Sequence, residues 1–368
     1  MLTISFTGDI CFNGNFKNNL ESGFSVFEKP VSSFLMQQQF ICCNFEGPET
    51  NVSHILNNNT PLKNHTGAIS YLSNYNFNIF NLANNHICDY KKTGLTDTIN
   101  IISDIKQSFV GAGINKNAIK NPVVISQNDI SIALLAYCEK DNKKIDNCNV
   151  AYLPSINKLK TIINKLKADD HKVILMYHGG EEFTTLPSPA KRKLLKKIAE
   201  KTKIDAIVAH HSHVFQGVEI VNLKPVFYSL GNFIFDLINH EIYPQSKESA
   251  ILSLQINKTN ISYDFFPVVC NSNKGVVEKG DNNFIETIKH RSDFSNYKKK
   301  WQKQCYNIIF NRPVHKVLNP QGESLQKKSF IKILLSKKFY KQIIKILINN
   351  KLRDVYFNAF LYKLTGNK

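Results

Sequence analysis

An α/β fold with mixed sheets is predicted by three features of the sequence. Short β-branched or aromatic runs alternate with amphipathic helical patterns over the first 270 residues. Hairpin-like strands close that stretch, and polar residues collect just past the ends of the apolar runs. In chain order the strand candidates are residues 2–8, 39–47, 77–85, 122–127, 130–137, 172–180, 204–211, 225–233, 250–256 and 261–269. Between them, 93–107 places Leu95, Ile99, Ile102 and Ile105 on one helical face. The segment 188–203 opens with Ser188 as N-cap and Pro189 at the first helical position. There is no internal repeat and no low-complexity linker.

The 368 residues are enough for a sizeable core, and 42% hydrophobic with 11% aromatic content describes a folded chain. No apolar run approaches the roughly 18–20 residues needed to cross a bilayer. The opening "MLTISFTGDI" runs straight into a strand pattern without the charged and apolar regions of a signal peptide. A cytoplasmic protein is therefore expected, and its eight cysteines, none in a CxxC pair, are read as free thiols. Net charge is +18 but uneven: residues 286–368 carry 19 Lys and Arg against 4 Asp and Glu, whereas the first 285 carry 28 against 25. The expected organisation is a near-neutral domain over 1–280 and a basic, mainly helical extension over 281–368. Within that extension, 327–353 has nine basic residues, no acidic one and apolar residues at near-helical spacing. An anionic membrane surface suits such a segment. A helical pair packed on the main domain with a solvated basic face suits it better, and nucleic acid ranks below both because no reading motif is present.

Six polar stretches share one position at strand ends: "TGD" (7–9), "NFEG" (44–47), "ANNH" (83–86), "YHGGEEF" (177–183), "HHSH" (210–213) and "LGNFIFD" (230–236). In open α/β sheets those ends line the ligand crevice. Taken singly, each acid or imidazole is an ordinary loop residue. Together they supply Asp9, Glu46, Asn85, His86, His178, His211 and His213, a carboxylate, amide and imidazole set suited to Mn²⁺, Fe²⁺ or Zn²⁺. Residues two apart in an extended chain face the same way, so His211 and His213 offer two nitrogens to one side. His210 is the bystander.

With those motifs in this order, "ANNHICDY" and "YSLGNFIFD" above all, residues 2–270 resemble the CapA family of bacterial capsule or poly-gamma-glutamate biosynthesis proteins, within the calcineurin-like metallophosphoesterase superfamily. The resemblance implies a four-layer α/β/β/α sandwich holding one or two divalent metals. It implies Asp9, Glu46, Asn85, His178, His211 and His213 as ligands and His86 as the acid for the leaving group. Asp89 and Glu182 match family positions and are the further catalytic candidates; Asn232 and Asp236 match as supporting residues. Two departures stand out. Cys11 replaces the histidine of the superfamily's Asp-x-His motif, and Glu46 stands for a bridging aspartate. The expected function is metal-dependent chemistry on a phosphate, phosphoanhydride or amide-forming substrate in surface-polymer biosynthesis. The alternative is a non-catalytic component that keeps the fold and binds polymer or partner. Poly-gamma-glutamate members often carry an N-terminal anchor, and its lack here turns the expectation toward another polymer, such as a substituted polysaccharide.

Overall fold

Strand β1 (Leu2–Ile10) is the centre of an eight-stranded sheet. On one side lie β2 (Ile41–Phe45), β3 (Phe77–Asn81) and β4 (Ser108–Val110), all parallel to their neighbours. The other side continues antiparallel through β12 (Glu248–Ile256), β13 (Ile261–Asn271) and β14 (Val276–Lys279). The three-residue β11 (Asn232–Ile234) pairs parallel with the end of β1. A second sheet of six strands runs in the order β5 (Val123–Gln127), β6 (Ile130–Cys138), β7 (Lys172–His178), β8 (Ala206–His210), β10 (Lys224–Leu230) and β9 (Phe215–Val221). The computed structural model describes residues 1–53, 61–140, 148–237, 240, 243–310 and 350–365.

The two sheets face each other. Ile174, Met176, Val208 and Phe227 of the second share one core with Ile4, Phe6, Cys42 and Leu252 of the first, and Cys42 Sγ lies 3.2 Å from Met176 Sδ. The alternate residues Val173, Leu175 and Ile207 are buried too; by the two-residue period of a strand they face the opposite way. That outer face is covered by α5 (Ile156–Ala168) and α6 (Pro189–Lys201), while α7 (Asn283–Arg291) packs against β9 and β13 with Phe284 and Ile288 in the shared core. The outer face of the first sheet is covered by α2 (Lys29–Met36), α3 (Ala68–Ser73) and α4 (Lys91–Asp104). The result is the four-layer α/β/β/α order. Burial on both faces is why the strands read as near-continuous apolar runs. Helix α6 starts as expected, Ser188 Oγ accepting from Lys191 N with Pro189 in the first turn.

At one seam the strands approach more closely than a side chain permits. A Cβ on Gly8 would stand 2.1 Å from Gly231 O, and Asp9 N donates to that same carbonyl. Nearby, His210 Nε2 on β8 donates to Thr7 O at 3.2 Å, tying the second sheet to β1.

The expected boundary at 280/281 moves. One compact unit runs Met1–Asp293 and a second Phe294–Lys368. The reason is α7: Arg291 donates to Phe215 O and to the Glu248 carboxylate, and Ser292 Oγ accepts from Val218 N. Within the second unit α8 (Tyr297–Phe310) packs against α9 (Asn350–Thr365), with Trp301, Cys305 and Ala359 buried. Most of the 327–353 segment, from which a membrane surface is expected, lies outside the described residues. No helix among the described residues is long and apolar enough to cross a membrane.

The free-thiol expectation is corrected at one pair. Cys88 and Cys148 form a disulfide across 60 residues of chain, their Cα atoms 6.2 Å apart. The segment after Cys148 lies alongside the strand ends, Ala151 N donating to Gly111 O and Cys138 N to Ala151 O, which brings the two sulfurs within bridging reach. Cys11, Cys42, Cys43, Cys138, Cys270 and Cys305 are free and buried.

Candidate metal centre

Strand register assembles the site. Asn232, Asp9, Asn44 and Asn81 stand opposite one another across β11, β1, β2 and β3. The pairing of β1 with β2 slips between Phe6 and Asp9, the kind of irregularity that re-aims a side chain beside a site. In the other sheet, register sets His178 beside His210 at the ends of β7 and β8. Both sets of parallel ends open to the same place.

Two groups result. Asp9, Glu46 and His178 offer ligand atoms within 4.8 Å of one another, and so do Glu46, His211 and His213. His178 Nε2 lies 2.7 Å from Asn85 Oδ1, 3.1 Å from His211 Nδ1 and 4.0 Å from Glu46 Oε1. All six expected ligands therefore converge, with Glu46 common to both groups. Asp9 Oδ2 and both Glu46 carboxylate oxygens are buried without a hydrogen-bond partner. His213 Nδ1 passes 3.3 Å from Asp9 Oδ2, but its hydrogen goes to Asn232 Oδ1 at 2.9 Å. Burial pushes the Asp9 carboxyl up to about 7, although Asn44 and the His211 backbone N–H donate to it. Glu46 is driven well above the carboxylate range by burial and by the neighbouring Asp9 charge. Burial holds His178 and His213 well below the usual imidazole range. Neutral imidazoles facing orphaned carboxylate oxygens are the donor set of a divalent cation, and the residues present fit one.

The supporting contacts fix each donor. Asn232 Oδ1 takes the His213 Nδ1 proton, which leaves Nε2 as the lone-pair nitrogen, 3.9 Å from Glu46 Oε1. Asn81 Nδ2 donates to Asn44 Oδ1, and Asn44 Nδ2 donates to Asp9 Oδ1. His211 and His213 have φ of 90° and 54°, left-handed conformations that cost about 1–3 kcal/mol each unless the surroundings impose them. At the rim, His86 Nδ1 donates to Asp89 Oδ2 at 2.6 Å while Nε2 faces Glu46 Oε1 at 3.9 Å. Asp89 also accepts from Leu62 N, so it orients His86. Glu182, its side chain 46% exposed, reaches within 3.9 Å of His211 Nε2. Asp236 accepts from Asn15 N at the start of α1 (Gly14–Glu21) and holds that helix. Cys11 belongs to neither group of ligand atoms: burial pushes its thiol well up, and Sγ donates to Lys63 O at 3.7 Å.

Asn44, Asn81 and Asn84 carry the scaffold without having been singled out by sequence. Asn84 accepts from His86 N and donates to Phe45 O, joining the two ligand loops. The only sequence signal was their place at strand ends, shared with many loop asparagines.

Fold and site thus define a class: an α/β/β/α sandwich with an acid–amide–imidazole cluster, a candidate cation centre, at its strand ends. Residues 3–237 match the model of the bacterial capsule synthesis protein PGA_cap family, and the chain belongs to that family. It is 29% identical over 271 residues to the capsule biosynthesis protein CapA of Bacillus anthracis, covering 69% of this chain and 64% of that one. To the PGA biosynthesis protein CapA of Bacillus subtilis (strain 168) it is 27% identical over 266 residues, covering 70% and 68%. The match thus spans less than two thirds of the Bacillus anthracis protein. Among solved structures, the calcineurin-like phosphoesterase YfkN from Bacillus subtilis aligns with a TM-score of 0.45 at 16% identity, over 79% of this chain and 96% of that one. The 5'-nucleotidase from Candida albicans SC5314 aligns at 0.41 and 10%, over 74% and 53%.

Proposed function

We propose that this chain is a metal-dependent enzyme of bacterial cell-surface polymer biosynthesis, acting on a phosphate, phosphoanhydride or amide-forming substrate. One observation carries the reading: three buried carboxylate oxygens, Asp9 Oδ2 and both of Glu46, have no donor and are ringed by neutral imidazoles. A bound divalent ion would supply a Lewis acid for the substrate oxygen. Asp9, Glu46 and His178, with Asn85 beside His178, would hold one ion, and Glu46, His211 and His213 a second. His86, its Nδ1 anchored on Asp89, presents Nε2 to donate a proton to the leaving group. Glu182 stands at the mouth beside His211, where an incoming substrate passes.

The test pairs metal analysis with turnover of a chromogenic phosphoester. Bound Mn²⁺, Fe²⁺ or Zn²⁺ with metal-dependent hydrolysis supports the enzyme. Bound metal with no turnover on any of the three substrate classes favours the non-catalytic polymer-binding reading. An absence of metal defeats both halves of the assignment.

The disulfide supports a location in an oxidising compartment, against the cytoplasmic expectation. Alkylation of the protein as isolated should then modify six cysteines after denaturation and eight only after reduction. Eight without reductant would restore the cytoplasmic reading.

A further inference from the structure

We propose that the buried Lys191 ammonium clamps the His210–His213 loop in its ligand-presenting shape, which makes Lys191 a positioning residue for the metal centre. The inference rests on the metal reading above. Lys191 stands in the first turn of α6 within "PAKRKLLKK", where a lysine is ordinarily solvated. Instead it is only 3% exposed. Burial of an ammonium is tolerated where its three donors are matched. Here Nζ donates to His210 O at 3.3 Å, Ser212 Oγ at 3.1 Å and Gln216 Oε1 at 3.3 Å. Those acceptors lie before, between and after the two ligands His211 and His213.

The clamp is itself held. Gln216 Nε2 donates to Thr184 O, Thr184 Oγ1 and Leu186 O, which leaves Oε1 facing Lys191. Gly180 makes the passage: a Cβ there would fall 2.5 Å from Lys191 Cδ. Phe183 N donates to Ser212 O from the other side of the loop. His211 and His213 flank Ser212 with positive φ, and such conformations persist only where neighbours over-determine them. Without the ammonium the loop keeps its ties through Phe183 N, His210 Nε2 and the His213–Asn232 hydrogen bond but loses those made through His210 O and Ser212 Oγ, which loosens the placing of both imidazoles against Glu46.

Lys191→Met keeps the stem and removes the donors. Mn²⁺ and Zn²⁺ affinity by titration calorimetry should fall about 10–100-fold, the range for outer partners of metal ligands. The visible absorption of the Co²⁺-loaded protein should change with it, since ligand geometry is what the clamp sets. Ser212→Ala should give a smaller loss in the same direction. Lys196→Met, which breaks a contact from the same helix to Glu219, should leave affinity and spectrum at wild-type values. Lys191→Met with wild-type affinity and spectrum overturns the inference. Should that variant not fold, Ser212→Ala decides alone, and wild-type behaviour there overturns it equally. Wild-type protein binding none of these ions defeats the metal reading and this inference with it; wild-type binding matched by Lys191→Met defeats the inference only.

Discussion

Two carboxylate clusters in the first unit reach opposite electrostatic ends. Burial pushes Glu219 on β9 upward, but Arg192 Nε and Nη2, Lys196 Nζ and Tyr228 Oη donate to it and hold it at about 2. Asp9 accepts only from Asn44 and the His211 backbone N–H, and neither Glu46 oxygen has a hydrogen-bond partner; burial pushes Asp9 up to about 7 and Glu46 well above its ordinary value. Glu219 is neutralised from within the chain and fastens α6 to β9. The Asp9–Glu46 cluster has no Lys or Arg side chain donating to it, which makes it the candidate cation site. A buried charge with its partners supports the fold, and one without them marks a candidate site for a cation.

The largest expected effect contrasts the two directly. Glu46→Gln should abolish metal binding by elemental analysis, since Glu46 serves both groups, yet raise the melting temperature of the metal-free protein. Glu219→Gln should leave metal content unchanged and lower stability by about 1–3 kcal/mol, the scale of hydrogen bonds to a charged group. If metal-free Glu46→Gln melts below the wild type, the uncompensated carboxylate is no liability and the contrast breaks. Next in size is His86→Ala, expected to lose about 10²–10⁴-fold in turnover with metal content intact; Asp89→Asn should lose less. Metal lost together with turnover would make His86 a ligand. The smallest effect is in pH. Glu219, held low, stabilises above its ordinary value of 4.5, a contribution lost as pH falls through about 2. Asp9, held high, favours the metal-free fold below 3.8, a contribution lost as pH rises through about 7. Chemical denaturation of the metal-free protein should show Glu219→Gln flattening the acid side of the profile and Asp9→Asn the neutral side. Matching profiles would erase the distinction.

Much of the fold was legible because buried parallel strands are unbroken apolar runs; β6, β7, β8 and β10 announced themselves. Short or polar strands did not. Three-residue β4 and β11 fall below any periodic signal, and β9, "FQGVEIV", mixes Gln216 and Glu219 into its run. The candidate ligands are legible through motif and position, because imidazole and carboxylate are rarely spent at strand ends. Their supports are not. Lys191 sits among five other basic residues of α6 and its sequence gives no sign of burial. Cys88 and Cys148 lie 60 residues apart, and spacing alone never names a partner. The domain boundary slipped past α7 because charge changes before packing does.

The contact between Gly8 and Gly231 has a bearing on how the family can drift. The next residues are Asp9, a candidate ligand, and Asn232, the anchor of the candidate ligand His213, paired in register. A methyl group on Gly8 would displace the Gly231 carbonyl, and with it the hydrogen bond that Asp9 N makes there. One substitution would thereby shift a ligand relative to the anchor of its counterpart, although neither had itself been changed. Tolerance to mutation should therefore be low at two residues that bear no functional group of their own.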